Sequence, residues 1–249
     1  MNARNQQLQL TVECRQIRDV TLCAFHTILL HRSVGKFKYS SDVNYTLGSI
    51  GIEEIDCDQI DLTYVRVNSP ELVADLDSKV RDFADAIHTV ISDGYFLSGS
   101  SPHSVDKEGR LHGIERWENL FPAQIKLEFY QRRKRQWPIP EDHVPWEVWE
   151  LHLDVVRTLN NEDFYRMREF VGEKLSDTIL SVCEIVNKPQ YLPKMPTRME
   201  LPYVYDDRFL DCHPYLYRVE SDYGGRLSEN ASKSSFMKKL FRDTLTFSS

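Results

Sequence analysis

The stretch Val20-Thr-Leu-Cys-Ala-Phe-His-Thr-Ile-Leu-Leu30 carries apolar side chains on nearly every side of a helical projection. A helix with this pattern is covered by neighbouring elements on several sides. Asp19 precedes the stretch as a candidate N-cap, and Gly35 follows shortly after its end. We therefore predict a central buried helix, around which the rest of the chain is arranged.

Two further helices are predicted, each with a single apolar stripe. The first opens at Ser69-Pro70-Glu71, which combines a capping hydroxyl, a proline at the first helical position and an acid at the positive end of the helix. Its apolar residues recur at helical spacing as far as Ile91. The second helix begins at Asn160 or Asn161 and continues to Val186 with the same periodicity.

Three segments alternate apolar and polar residues with the period of a half-buried strand, namely residues 8–14, 125–130 and 149–155. The tyrosine-rich residues 215–219 are predicted to form a further strand. No boundary separates the three helices from these strands, so we predict one α+β domain over residues 1–249. Residues 95–124 hold glycine, serine and mixed charges without periodicity, and they predict a flexible surface insertion.

The balance of charge disfavours a dedicated nucleic-acid-binding protein. The chain has 31 Lys and Arg against 38 Asp and Glu, a formal net charge of −7, whereas nucleic-acid affinity depends on cations that neutralise phosphates. Five scattered cysteines without a CxxC pair indicate reduced thiols in a reducing compartment. The polar start of the chain and the lack of a run of 18 apolar residues argue against a secretory signal or a membrane span. We therefore expect a cytoplasmic location.

The sequence lacks the motifs that accompany common catalytic and cofactor sites, namely GxxxxGK[ST], GxGxxG, HExxH and GxSxG. Cys57 lies between Asp56 and Asp58, whose charges raise the pKa of a thiol and so oppose nucleophilic chemistry. Cys212 and His213 are adjacent rather than spaced to share a metal ion. We therefore predict a protein that is not an enzyme and has no catalytic, cofactor or metal site.

The segment Gln131-Arg-Arg-Lys-Arg-Gln-Trp-Pro-Ile-Pro-Glu-Asp-His-Val-Pro-Trp146 is the strongest candidate for a binding site. Its three prolines fix φ and remove amide donors, so we expect a stiff loop that does not extend the flanking strands. Trp137 and Ile139 stand between four basic and two acidic residues. Such a loop suits a binding anchor, because it is ordered at small cost and buries a large apolar area. Two separate alternatives remain. In the first, Trp137 folds back onto the core. In the second, the basic run is a nucleic-acid or nuclear-import patch rather than a solvated strand end.

Seven blocks of the sequence resemble the autophagy-related protein 101 family, in the same order along the chain. They include His26-Thr-Ile-Leu-Leu-His-Arg-Ser-Val-Gly-Lys-Phe37 and Pro145-Trp-Glu-Val-Trp149, and the others are residues 55–67, 127–130, 171–175, 191–197 and 214–217. The resemblance implies a HORMA fold, in which three helices pack on a mainly antiparallel β-sheet. It also implies a subunit of the autophagy-initiation kinase complex, which pairs with the HORMA domain of autophagy-related protein 13, stabilises it, and is recruited to the phagophore assembly site.

The resemblance also implies a role for Trp137, Pro138 and Ile139. Family members use an exposed Trp-Phe finger at this place to recruit downstream autophagy factors. Ile139 stands where the family pattern has Phe, so the anchor stays apolar but loses a ring, and its preference among partners is expected to differ. The alternative within the HORMA group is an adaptor of the checkpoint and meiotic type, whose C-terminal strands rearrange around a bound peptide.

Two segments outside these blocks suggest further contacts. Glu115 and Trp117-Glu-Asn-Leu120 have the form of a motif that docks ubiquitin-like autophagy modifiers by adding a strand to a sheet edge. The alternative for this segment is a short helix in which Trp117 and Leu120 cover the core. Residues 235–247 place apolar side chains at helical spacing, opposite Lys238, Lys239 and Arg242. We expect an amphipathic helix that docks on this protein or its partner, or else lies on a membrane surface.

Overall fold

A computed structural model describes residues 3–92, 121–134, 141–158, 160–188 and 192–223, and over these residues the chain forms the predicted α+β fold. Its helices are α1 (Ile17–His31), α2 (Pro70–Ser92), α3 (Asn161–Val186) and the short α4 (Leu201–Val204). Its strands are β1 (Arg4–Glu13), β2 (Ser33–Val34), β3 (Phe37–Tyr39), β4 (Tyr45–Leu47), β5 (Ile52–Asp56), β6 (Thr63–Val67), β7 (Phe121–Arg133), β8 (Asp142–Val156), β9 (His213–Pro214) and β10 (Tyr217–Tyr223).

The main sheet has four strands in the order β1-β8-β7-β10. β7 pairs antiparallel with both β8 and β10, whereas β1 pairs parallel with β8, with Leu8 opposite Leu151. The sheet is therefore mainly antiparallel, as expected, with one parallel pair at its edge. Three small antiparallel pairs, β2–β9, β3–β4 and β5–β6, complete the strand pairing described.

One face of the main sheet is apolar and the three long helices cover it. Alternate residues of β8 are buried from Trp149 to Val155, and alternate residues of β7 from Phe121 to Phe129 join them. α3 packs over β1, α1 against β8, and α2 over β7 and β10. The opposite face is polar at its β1 edge, where the amides of Asn5 and Gln7 both donate to the Glu150 carboxylate. The predicted alternation in these strands is therefore confirmed.

The central helix is longer than predicted and starts in a different way. A 3₁₀ turn (Cys14–Gln16) leads directly into α1, and Glu13 caps that turn by accepting the Arg15 N–H at 2.8 Å. Asp19 is not the N-cap: it lies inside the first turn of α1, and its carboxylate accepts the N–H of Gln59 at 2.7 Å. Asp19 thus fixes the β5–β6 connection to α1 rather than the helix end.

A buried ion pair joins the end of α1 to the main sheet. Arg32, which is 3% exposed, donates from Nε and Nη2 to the two carboxylate oxygens of Glu147, which is 1% exposed, at 2.6 and 2.9 Å. Arg32 Nη1 also donates to the Val186 carbonyl at the end of α3, and Trp149 Nε1 donates to Glu147. The Arg32 carbonyl accepts the Tyr215 N–H. One arginine therefore links α1, α3, β8 and the C-terminal part of the fold.

Gly35 lies where two backbone segments almost touch, and its replacement is our first prediction. A Cβ atom on Gly35 would stand 1.8 Å from the Gly48 carbonyl oxygen, which belongs to the backbone and cannot rotate away. We expect Gly35→Ala to lower the free energy of unfolding by about 1–3 kcal/mol, measured by urea denaturation. Gly48→Ala is the matched control, since a Cβ there meets its nearest atom at 3.4 Å. Equal losses in the two variants would contradict the steric explanation.

Candidate protein-interaction surfaces

The predicted loop over residues 131–146 is shorter in the structure than in the prediction. β7 continues to Arg133 and β8 begins at Asp142, and these two residues form the last pair of the ladder. Pro145 does not interrupt β8, contrary to the prediction. It pairs with Tyr130 at a register shift, where the regular ladder is interrupted and a missing amide donor is tolerated. The Tyr130 N–H donates to Leu216 of the neighbouring segment.

The tryptophan at the end of that predicted loop belongs to the core. Trp146 is the extra residue at the register shift, because Phe129 pairs with Glu147 and Tyr130 with Pro145. Its ring is buried, lies 5.7 Å from the Phe129 ring and meets the Tyr215 ring edge-on at 5.1 Å. This bulge turns a residue of the predicted binding loop into a packing residue.

The structure defines the two strand ends from which the predicted finger projects. Trp137, Pro138 and Ile139 themselves lie outside the residues that the structure describes. Just before them, Lys134 places its ammonium 4.8 Å from the centre of the Tyr203 ring in α4, and the interaction with Tyr203 raises the pKa of Lys134. Just after them, His143 stacks on Tyr130 at 4.7 Å. Both ends of the connection are therefore held by aromatic contacts.

α3 presents a long exposed face of mixed chemistry. Its inner side packs on α1 and β1 through the predicted stripe of buried residues Phe164, Met167, Val171, Leu175, Val182 and Val186. On its outer side Tyr165 and Leu180 are 64% and 63% exposed, among the charged residues Arg166, Glu173, Lys174 and Asp177. Tyr165 and Leu180 were not predicted as site residues, although both fall outside the helical stripe. Large apolar side chains that stay exposed beside charges are typical of a protein-interaction surface.

The thiol and imidazole groups considered as reactive candidates are engaged in packing. Burial, followed by the charges of Asp19, Asp58 and Asp56, raises the pKa of Cys57 to about 12, in the direction predicted. Burial also raises the pKa of Cys212 and, with the charge of Lys36, lowers the pKa of His213 to about 4. His213 Nδ1 accepts the Phe37 N–H at 3.3 Å. The thiols of Cys57 and Cys212 and the imidazole of His213 are therefore favoured in their neutral forms.

Several predicted features fall outside the described part of the chain. They are the modifier-docking motif with Glu115, Trp117 and Leu120, nearly all of the predicted insertion 95–124, and the amphipathic segment 235–247. The last four positions of the predicted insertion are described, and they already belong to β7, which starts at Phe121 rather than at Ile125. Among the described residues, no group of three or more His, Cys, Asp or Glu side chains is arranged to hold a metal ion. None of the helices described is both long enough and apolar enough to cross a lipid bilayer.

Comparison with known proteins gives a consistent result over almost the whole chain. The family model for autophagy-related protein 101 matches residues 9–199. Autophagy-related protein 101 of Xenopus tropicalis is 38% identical over 98% of this chain and 99% of its own length, and that of Homo sapiens is 37% identical over the same shares. Autophagy-related protein 101 of Arabidopsis thaliana is 27% identical over 63% of this chain and 55% of its own length.

Proposed function

The chain belongs to the autophagy-related protein 101 family and has a role in autophagy, and we propose that it acts there as a non-catalytic adaptor of the autophagy-initiation kinase complex. In this proposal it adopts a HORMA fold, pairs with the HORMA domain of autophagy-related protein 13 and stabilises it. The observation that carries the proposal is sequence identity to vertebrate family members along 98% of the chain. The match includes the strands and helices that form the core, so it extends to the folded domain as a whole.

The exposed face of α3 is the surface we assign to the pairing. The outer side of α3 carries Tyr165 near its start and Leu180 near its end, with Arg166, Glu173 and Asp177 around them, a mixture of apolar and charged side chains that suits a protein partner. The inner side of the same helix is fixed by α1, β1 and the Arg32 contact at Val186. A rigid helix presents such side chains at little entropic cost on binding.

We expect Leu180→Asp to weaken the 1:1 complex with the HORMA domain of autophagy-related protein 13 by about thirtyfold or more, because central apolar contacts contribute about 2 kcal/mol or more to binding. Gel filtration and calorimetric titration of the two purified proteins at micromolar concentration measure this. Ile52→Asp is the matched control, since Ile52 is 64% exposed and lies on β5, away from α3. No association of the unmodified chains would refute the pairing, whereas equal affinity of both variants would refute only the assignment of α3.

Trp137, Pro138 and Ile139 form the second part of the proposal, a finger that recruits downstream autophagy factors to the phagophore assembly site. Support comes from the strand ends on either side of it. Arg133 and Asp142 close the ladder, and Lys134 and His143 are held by Tyr203 and Tyr130. These contacts fix the described strand ends on either side of the proposed finger.

A further inference from the structure

A cleft of about 550 Å³ opens between α1, the β5–β6 pair and the first half of α2. No feature of the proposed adaptor role uses it. α1 contributes Asp19, Leu22 and His26, and α2 contributes Val73 and Asp77. β5, β6 and the turn between them contribute the remaining wall, which includes Glu53, Ile55, Asp56, Cys57, Asp58, Tyr64 and Arg66. The cleft therefore combines apolar side chains with a high density of charge.

The charge of the cleft is negative once its internal ion pairs are considered. Arg18 pairs with Asp77 at 2.6 Å, and Arg66 with Glu53 at 2.7 Å. Three carboxylates remain, those of Asp19, Asp56 and Asp58. Within the described ranges none of the three forms an ion pair: Asp19 accepts a backbone N–H from Gln59, and Asp56 accepts the Thr63 hydroxyl. All three line the cleft together with Cys57. This end of the cleft therefore attracts a cation.

The inner wall of the cleft contains a buried polar atom without a partner. His26 is 1% exposed and stacks on Tyr64 at 6.0 Å, and in the described part of the chain its Nε2 has no hydrogen-bond partner. Burial lowers the pKa of His26 to about 3, so the ring is neutral. A buried ring nitrogen without a hydrogen bond is costly and rare in folded proteins. Together with the carboxylates that form no ion pair, it indicates that a polar, positively charged ligand completes the cleft.

We propose that the cleft binds a basic amphipathic segment, and that its occupant is residues 235–247 of this same chain. The segment carries Lys238, Lys239 and Arg242 against the single acid Asp243, the charge that the cleft lacks. Its apolar residues, among them Phe241, match the apolar part of the wall formed by Leu22, Ile55 and Val73. Charge and hydrophobicity are thus complementary on the two sides.

The path of the chain permits this contact. β10, the last strand, runs beside α2, where the Tyr217 hydroxyl donates to Asp75 at 2.6 Å. Asp75 lies on one flank of α2, and the cleft residues Val73 and Asp77 lie on the other. The segment leaves β10 at Tyr223, six residues or about 20 Å beyond Tyr217. Residues 224–234 span up to about 35–40 Å when extended, which covers that distance and the width of the helix they have to pass, about 10–12 Å. The apolar face of the main sheet is an unsuitable alternative dock, because α1, α2 and α3 already cover it.

Photocross-linking in the full-length monomer tests the proposal. With p-benzoylphenylalanine in place of Phe241, we expect cross-links to residues 18–26, 53–58 and 70–77. Asp58→Lys is expected to lower the yield of these cross-links about threefold to fivefold, a range that corresponds to loss of exposed ion pairs, and higher salt should act in the same direction. Asp207→Lys is the matched control, since it reverses an exposed acid that does not line the cleft. His26→Phe keeps an aromatic ring at this position and removes Nε2. The chain should therefore still fold, whereas the yield of cross-links should fall.

Cross-links in another place, on the polar sheet face or on a second copy of the chain, would overturn the proposal. So would equal yields in the Asp58→Lys and Asp207→Lys proteins. Binding to anionic vesicles of phosphatidylserine and phosphatidylcholine tests the membrane alternative. The segment does not occupy the cleft if the vesicles bind the unmodified and Asp58→Lys chains equally well and the cross-links stay unchanged. These results do not depend on pairing through α3, so either proposal can fail while the other stands.

Discussion

Replacement of Glu147 by Gln is expected to lower the free energy of unfolding by about 3–5 kcal/mol, the usual cost of removing one partner from a buried ion pair. The Arg32 guanidinium would remain 3% exposed with no opposite charge beside it. Gln can still accept one hydrogen bond, but it cannot compensate a buried cation or keep both oxygens for Nε and Nη2. Because Arg32 also bonds Val186 and Tyr215, the loss should spread to α3 and to the C-terminal strands.

Thermal unfolding followed by circular dichroism measures this effect, and a decrease in melting temperature of about 10 °C or more is expected. Glu150→Gln, three positions further along β8 on the polar face, is the control and should change stability by less than about 1 kcal/mol. The double variant Arg32→Met with Glu147→Leu should regain most of the loss, because apolar pairs of similar volume replace buried ion pairs well. A Glu147→Gln protein as stable as the Glu150→Gln protein would show that the pair does not hold the fold together.

The second large effect is expected at the predicted finger. Trp137→Ala should abolish recruitment of downstream autophagy factors, because loss of an anchoring tryptophan costs about 2 kcal/mol or more, roughly thirtyfold in affinity. The measurement is the number of fluorescent assembly sites per cell for tagged downstream factors, in cells that carry only the variant chain. Ile139→Ala should have a smaller effect in the same direction, since less apolar area is removed.

The folding of the finger variants provides the control. Trp137→Ala should leave thermal stability within about 1 kcal/mol of the unmodified chain, because an exposed anchor contributes little to the core. Trp146→Ala is the contrasting variant: its ring packs on Phe129 and Tyr215, and its loss should cost about 3–5 kcal/mol of stability. A Trp137→Ala chain destabilised as much as Trp146→Ala would place Trp137 in the core instead of on a finger.

The long helices were predictable because their signals are local. Asn160 accepts the Asp163 N–H as a capping residue should, and the stripe that follows at helical spacing is the buried side of α3. Pro70 opens α2 as expected. In β8, alternation identified the buried residues from Trp149 to Val155. In each of these elements a few neighbouring residues determine the backbone geometry, so the pattern in the sequence was sufficient.

The errors arose where distant segments determine the outcome. Asp19 has the chemistry of an N-cap, but the amide of Gln59, forty residues away, is its partner. Pro145 has the chemistry of a strand breaker, but it lies at a bulge, where the regular ladder is interrupted. The cleft could not be predicted for the same reason, since His26 and Asp58 come to line one cavity only after folding. Family resemblance supplied the finger, whereas Leu180 could have been recognised as an exposed apolar residue from helical spacing alone.

The parallel pairing of β1 with β8 has a consequence for the order of events during biosynthesis. β1 is made at the start of the chain, but Leu8 has no strand opposite it until Leu151 has been translated. At typical elongation rates of about 5–20 residues per second, that interval lasts roughly 7–30 seconds. Throughout this time the apolar sides of β1 and α1 lack the sheet that covers them in the finished protein. The pairing of β1 is therefore a late event in folding, which follows synthesis of the middle of the sheet.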